Sequence, residues 1–236
     1  MRKPRTKIYT KVTPEEKRIV YSGIDFFEFS MYLPNPIENL LLLKGDYLGN
    51  KCIHNFELLE GTEEIAKLEK EDIYSYGDFV FLDYNATNSV AALSKQQIAE
   101  MLYLAHMSTT MQSPFFELLQ NRFFYIAHDD GSYCKLYCQN LSDYFTVLNS
   151  KISRIIRIPE PNYLGIINNQ WQKISESGIL IDLDEIKHKN GGIDVKIYSI
   201  GEYSNMDLIF NNIHKIKDIA GEVSNLYCCE ENWVIT

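Results

Sequence analysis

Phe123-Phe-Tyr-Ile-Ala-His-Asp-Asp-Gly-Ser-Tyr-Cys-Lys-Leu-Tyr-Cys138 is the stretch that decides the fold class. Two aromatic-rich runs, Phe123–Ala127 and Ser132–Cys138, flank His128-Asp129-Asp130-Gly131. Asp-Gly supplies the positive φ that a tight reversal between strands requires, so the stretch reads as a β-hairpin. Just downstream, Ser142 can cap a helix running to about Ile152, with Tyr144, Phe145, Val147 and Leu148 packing inward. Just upstream, Asp78–Tyr84 (Asp-Phe-Val-Phe-Leu-Asp-Tyr) reads as a strand.

Between these two β pieces, Ser94 and Gln97 form a capping box, with Leu93 and Ile98 at the staple positions. Ile98, Met101, Leu102 and Ala105 then make one apolar stripe of a helix. Ser113-Pro114 opens a further short helix through Leu119. Closer to the N-terminus, Thr62-Glu-Glu-Ile starts a short helix, and Leu40–Leu43 and Cys52–Leu58 read as two strands around the Gly45 and Gly49-Asn50 turn signals. The aromatic density of Ile24–Leu33 predicts a strand, preceded by a short helix opening at Thr13-Pro14. Residues 1–12 read as a basic, partly disordered tail.

Pro159 and Pro161 break the chain after the hairpin region. Beyond them the pattern is helix (about Tyr163–Ser175), strand (Ile179–Leu183), a Gly191-Gly192 turn, strand (Asp194–Ile200), helix (Met206–Ala220) and strand (Asn225–Cys229). The expected class is therefore α+β or α/β. A mixed or antiparallel sheet with packed helices fills 1–157, and an α-β-β-α-β unit fills 161–236.

Composition narrows the function classes. The chain of 236 residues carries a net charge of −9, and its first twenty residues hold a local excess of +5, which leaves −14 for the rest. An acidic body repels phosphate backbones, so nucleic acid is an unlikely partner. No apolar run approaches a bilayer span and no signal-peptide pattern opens the chain, which predicts a cytoplasmic protein without membrane contact. Cys52, Cys134, Cys138, Cys228 and Cys229 show no framework spacing and are expected as free thiols.

The densest polar cluster is His128-Asp129-Asp130. A histidine beside two carboxylates suits acid–base work on a small phosphorylated or nucleotide substrate, or a divalent ion with His106 and Asp83 as further ligands. Turn chemistry between two strands explains the same residues more cheaply. Cys52-x-His54 places a thiol and an imidazole roughly 7 Å apart on one strand face, but four zinc ligands do not assemble around it. Nucleophile-elbow, phosphate-loop, dinucleotide-loop and metalloprotease-helix motifs are all missing. No cofactor is expected. The sixteen tyrosines offer another chemistry. Tyr74, Tyr76, Tyr84 and Tyr133, with Asp83 and Asp129, would make an amphipathic acidic face suited to docking a protein.

Tyr76-Gly77-Asp78-Phe79-Val80-Phe81-Leu82-Asp83-Tyr84, followed by the hairpin Tyr125–Cys138 and the helix at Leu141–Leu148, resembles the central part of SUKH-type bacterial immunity proteins over residues 70–150. The resemblance implies an acidic α+β scaffold that binds a toxin domain and blocks it by occlusion, without catalysis of its own. A long helical insertion at 94–120 and the whole of 160–236 depart from that pattern. On both lines the leading expectation is a protein-binding module, with the His128 turn of an enzyme as the alternative.

Overall fold

A computed structural model describes residues 5–48, 51–68, 73, 79–85, 90–105, 114–128, 133–200 and 221–236. In chain order the strands are β1 (Lys7–Thr13), β2 (Arg18–Ser22), β3 (Asn39–Leu48), β4 (Lys51–Glu60), β5 (Phe79–Asp83), β6 (Phe123–His128), β7 (Tyr133–Cys138), β8 (Ile179–Lys189), β9 (Gly192–Ser199), β10 (Glu222–Cys229) and β11 (Asn232–Ile235). The helices are α1 (Phe26–Tyr32), α2 (Thr62–Lys67), α3 (Lys95–Ala105), α4 (Leu141–Ile156) and α5 (Leu164–Ser175). The class is α+β with antiparallel pairing. No helix among the described residues is long and apolar enough to cross a membrane.

The chain divides into two units, and not at the proline pair. One unit joins Met1–Pro34 to Leu141–Thr236, and the other is Asn35–Asn140. The reason is the pairing of β1 with β8, Lys7 opposite Asp182 and Thr10 opposite Ile179. Residues 7–12 are thus an inner strand of the first unit, with Ile8 and Thr10 fully buried, and not a disordered tail. The Pro159–Pro161 segment joins two packed helices, because the Asn149 side chain bonds Asn168 at 2.9 Å and accepts the Trp171 indole N–H at 2.7 Å. These amides and the indole satisfy one another in the interior, where an unmade hydrogen bond costs about 1–3 kcal/mol.

The first unit has the strand order β11-β10-β9-β8-β1-β2. The α-β-β-α-β pattern expected for its C-terminal part gains β11. Its second helix, Met206–Ala220, lies outside the described residues. The helix expected at Thr13 is one 3-10 turn, Pro14–Glu16, closed by Lys17 in the left-handed region. Ile24–Leu33 is largely helix, not strand. Asp25 accepts the Glu28 N–H at 2.8 Å, and Glu28 accepts the Asp25 N–H at 3.2 Å, a full capping box that starts α1. Phe26 and Phe29, one turn apart, then bury on one face. The other carboxylate oxygen of Glu28 takes Lys151 of α4, whose side chain is almost wholly buried.

Gly23 turns the chain from β2 toward α1 at φ +93°, and a Cβ there would lie 2.2 Å from the Lys7 carbonyl oxygen. Gly23→Ala should therefore cost well over ~1 kcal/mol, read as a shifted denaturation midpoint, because both φ and space forbid the methyl.

The second unit runs β7-β6-β5-β3-β4. The hairpin is formed, His128 opposite Tyr133 and Phe123 opposite Cys138, with its turn at 129–132 outside the described residues. One face of this sheet carries Leu41, Leu43, Val80, Leu82, Phe124 and Ile126, closed over by Leu93 and Met101 and by Phe116 and Leu119. Ser94 and Gln97 make the expected reciprocal bonds at the start of α3, at 3.2 and 2.8 Å. The helix expected from Ser113 through Leu119 is absent over 114–119, which has no regular structure and then turns. Buried Asn121 explains it: the side chain accepts the Phe116 N–H at 2.8 Å and donates to Pro114 O at 3.0 Å, taking backbone groups a helix would use.

Candidate binding surface

Asp83 ends β5 with its carboxylate turned inward at 5% exposure. Oδ1 accepts the backbone N–H of Arg122 at 2.8 Å and of Phe123 at 3.1 Å, and Oδ2 accepts Arg122 Nε at 2.6 Å. The guanidinium continues to Asn35 O at 3.1 Å and Pro36 O at 3.0 Å. One carboxylate thus fixes the entry to β6 and, through Arg122, the turn before β3. Burial pushes the Asp83 pKa up, while the Arg122 side chain and the two amides pull it back. Asn39 Nδ2 spans Tyr84 O and Asn85 O, and Asn85 Nδ2 meets Gln120 Oε1 at 2.8 Å. The result is a polar recess of about 170 Å³ lined by Glu38, Asn39, Asp83, Asn85, Gln120 and Arg122. The side chains of Asn39, Asp83, Asn85, Gln120 and Arg122 are committed there to holding strands and turns together. Asp83 and Tyr84, at 5% and 3% exposure, face the interior and do not offer the docking face expected of them.

His128 lies at the other end of β6, roughly 17 Å from the Asp83 end at about 3.3 Å per residue. The two do not share one site. Burial, helped by the charge of Lys135, lowers the His128 pKa to about 3, so the imidazole is neutral near pH 7. Its ring stacks on Tyr133 with centroids 4.4 Å apart. Tyr125 and Tyr137 are buried core residues. Tyr74, Tyr76, His106, Asp129 and Asp130 lie outside the described residues, as do the side chains of Cys52 and His54. Among the described residues no cluster of three metal-binding side chains occurs.

Cys134, Cys138, Cys228 and Cys229 are free thiols. Burial, with Asp194 nearby, pushes Cys228 up to about 12, while Cys229 is half-exposed. Among these four, a thiol reagent should modify Cys229 first in the native protein and the buried three only on denaturation, with no reductant needed. Peptide mapping of the labelled sites checks this.

Sequence reasoning missed the surface that the strand order creates. β4 is the last strand of the second unit. Its register places Leu58 opposite Leu41 and Phe56 opposite Leu43, so the apolar stripe of the core continues onto β4. There it meets solvent, with Phe56 36% and Leu58 39% exposed. Gly61 N donates to Glu38 O at 2.8 Å, so in the alternating antiparallel ladder Leu59 and Glu57 turn their backbone groups toward β3. Phe56, Leu58 and Glu60 therefore direct theirs outward. In the first unit the terminal strand β11 is held by its neighbours: Gln170 Oε1 accepts the Ile235 N–H, Asn162 N–H donates to Glu231 O, and the Trp233 indole donates to Pro159 O. A terminal strand whose apolar side chains meet solvent is a site where another chain can pack. The chain matches no protein-family model, no curated protein and no solved structure.

Proposed function

We propose that this chain is a protein-binding module that works in the cytoplasm, and specifically an immunity protein that neutralises a toxin domain by covering it. The observation that carries the binding reading is β4, the last strand of the second unit, where Phe56 and Leu58 continue the core stripe into solvent. Core-like apolar surface beside exposed carboxylates suits a protein partner better than a small solute. The class of partner comes from the resemblance of residues 70–150 to SUKH-type proteins. At His128 burial holds the imidazole neutral, with a pKa lowered to about 3, which weighs against acid–base work by that side chain near neutral pH.

The test is co-expression with a secreted toxin domain, should one be encoded beside its gene. Restored growth together with co-elution of the two chains is the expected result. Continued toxicity with no co-elution would discard the immunity role. Magnesium, manganese or zinc should leave the melting temperature unchanged; a metal-dependent rise lost in Asp129→Ala would return the enzyme reading to the front.

A further inference from the structure

In the first unit the pairing of β8 with β9 is interrupted. Asp182 lies opposite Lys196 and Lys187 opposite Asp194, so residues 183–186 of β8 face Val195 alone. A bulge of this kind bends its strand and re-aims the side chains beside it. Two bonds hold its shape: the Asp184 N–H donates to Asp182 Oδ1 at 3.0 Å, and the Tyr198 hydroxyl donates to Glu185 Oε2 at 3.2 Å. The turn that follows is fixed as well. Asn190 and Gly191 take φ of 47° and 80°, and the Tyr227 hydroxyl reaches Lys189 O and Asn190 O at 3.4 Å. Tyr227 fits there because residue 192 is glycine, where a Cβ would lie 2.6 Å from the ring.

Beside the bulge is a hollow of about 400 Å³, lined by Glu185, Lys187 and Lys189 of β8, Asp194 and Lys196 of β9, and Asn225 of β10. Thr236, whose backbone pairs with Asn225, completes the lining. Lys187 and Lys189 are exposed, and Asp194, Lys196 and Asn225 are half-buried. Among the described residues Lys187, Lys189 and Lys196 form no ion pair, in a chain whose net charge is −9.

We propose that this hollow binds a small phosphorylated polyol, with the phosphate on Lys187, Lys189 and Lys196 and the hydroxyls on Asp194 and Asn225. The site is separate from β4 and does not depend on the protein-binding reading. Three ammonium groups match a phosphate ester, which brings three acceptor oxygens and a charge of about −1.5 to −2. A carboxylate ligand offers one charge and two oxygens. Asp194 repels a bare anion, so a ligand that fills the hollow brings hydrogen-bond donors to that side, and hydroxyls supply them. The volume also suits a small molecule and exceeds what one free ion needs, since such sites span roughly 300–1,000 Å³.

Ribose 5-phosphate, inorganic phosphate and ribose are the probes, titrated calorimetrically into the intact chain at one ionic strength. Ribose 5-phosphate should bind about tenfold or more tightly than inorganic phosphate, and ribose should not bind. Lys196→Gln should weaken ribose 5-phosphate by about tenfold or more, and so should Lys187→Gln combined with Lys189→Gln. Lys173→Gln, which removes an exposed lysine of α5, should leave binding unchanged. Asp194→Ala should separate the two halves of the ligand. Inorganic phosphate then gains affinity as a like charge leaves, and ribose 5-phosphate loses its advantage over it.

Absence of binding by either phosphate would overturn the proposal, as would binding that survives both sets of lysine variants. Equal affinities for ribose 5-phosphate and inorganic phosphate in the wild type would remove the polyol. A loss shared by Lys173→Gln would trace the effect to net charge and discard the hollow as its seat.

Discussion

Asp83→Ala should destabilise the fold by about 3 kcal/mol, seen as a lower urea midpoint with an unchanged slope. The substitution leaves two backbone N–H groups and the Arg122 guanidinium without their acceptor at the entry to β6. It also frees Arg122 from the geometry that carries it to the carbonyls of Asn35 and Pro36. Asp83→Asn, which keeps the shape and one acceptor oxygen, should cost less. A loss below about 0.5 kcal/mol for the alanine variant would show that Asp83 is not the staple its bonds imply.

The second large effect is a dependence on pH. His128 in the folded chain has a pKa of about 3 against an ordinary 6.5, because burial, and then Lys135, oppose its charged form. On acidification the unfolded chain takes up a proton that the folded chain refuses until about pH 3. The stability that neutral His128 contributes is thus complete above about pH 6.5 and is lost as pH falls toward 3, by up to ~1.4 kcal/mol per pH unit. Between about pH 7.5 and 5, wild type should lose about 2 kcal/mol more than His128→Gln, whose side chain does not titrate. Urea titrations of both proteins across that range measure the difference, and carboxylates common to the two cancel. Parallel curves would mean that the imidazole is protonated as readily in the folded chain as in the unfolded one.

Local chemistry was legible in the sequence where local chemistry decides the outcome. Ser94 and Gln97 mark the start of α3, and the alternating aromatics around Asp130-Gly131 mark β6 and β7. Ile24–Leu33 misled because four aromatic residues favour a strand, yet Asp25 and Glu28 cap a helix and Phe26 and Phe29 share its face. Capping and spacing outweighed propensity there. Residues 7–12 misled because their charge suggested a solvated arm, although Lys7 pairs with Asp182 and Asp184 at 3.7 and 2.7 Å once β1 lies beside β8. That pairing is non-local, and neither segment announces the other. Asp83 was singled out for its chemistry but placed on the wrong side of the surface, since its partner Arg122 lies far along the chain. Phe56 and Leu58 could not be recognised as an edge, because edge status belongs to the order of strands and not to any one of them.

The first unit is assembled from two separate segments, Met1–Pro34 and Leu141–Thr236, with Asn35–Asn140 between them. During synthesis β1 and β2 leave the ribosome together and can form their hairpin early, but β8 follows roughly 170 residues later. Until then the N-terminal hairpin has a bare side, while the contiguous second unit already has all its own strands. The order of assembly is therefore set by the order of translation. Residues 35–140 can become native while β1 and β2 still wait for β8. The long closure that joins β1 to β8 makes the first unit the slower to form and the one exposed longest to strand exchange with a neighbouring nascent chain.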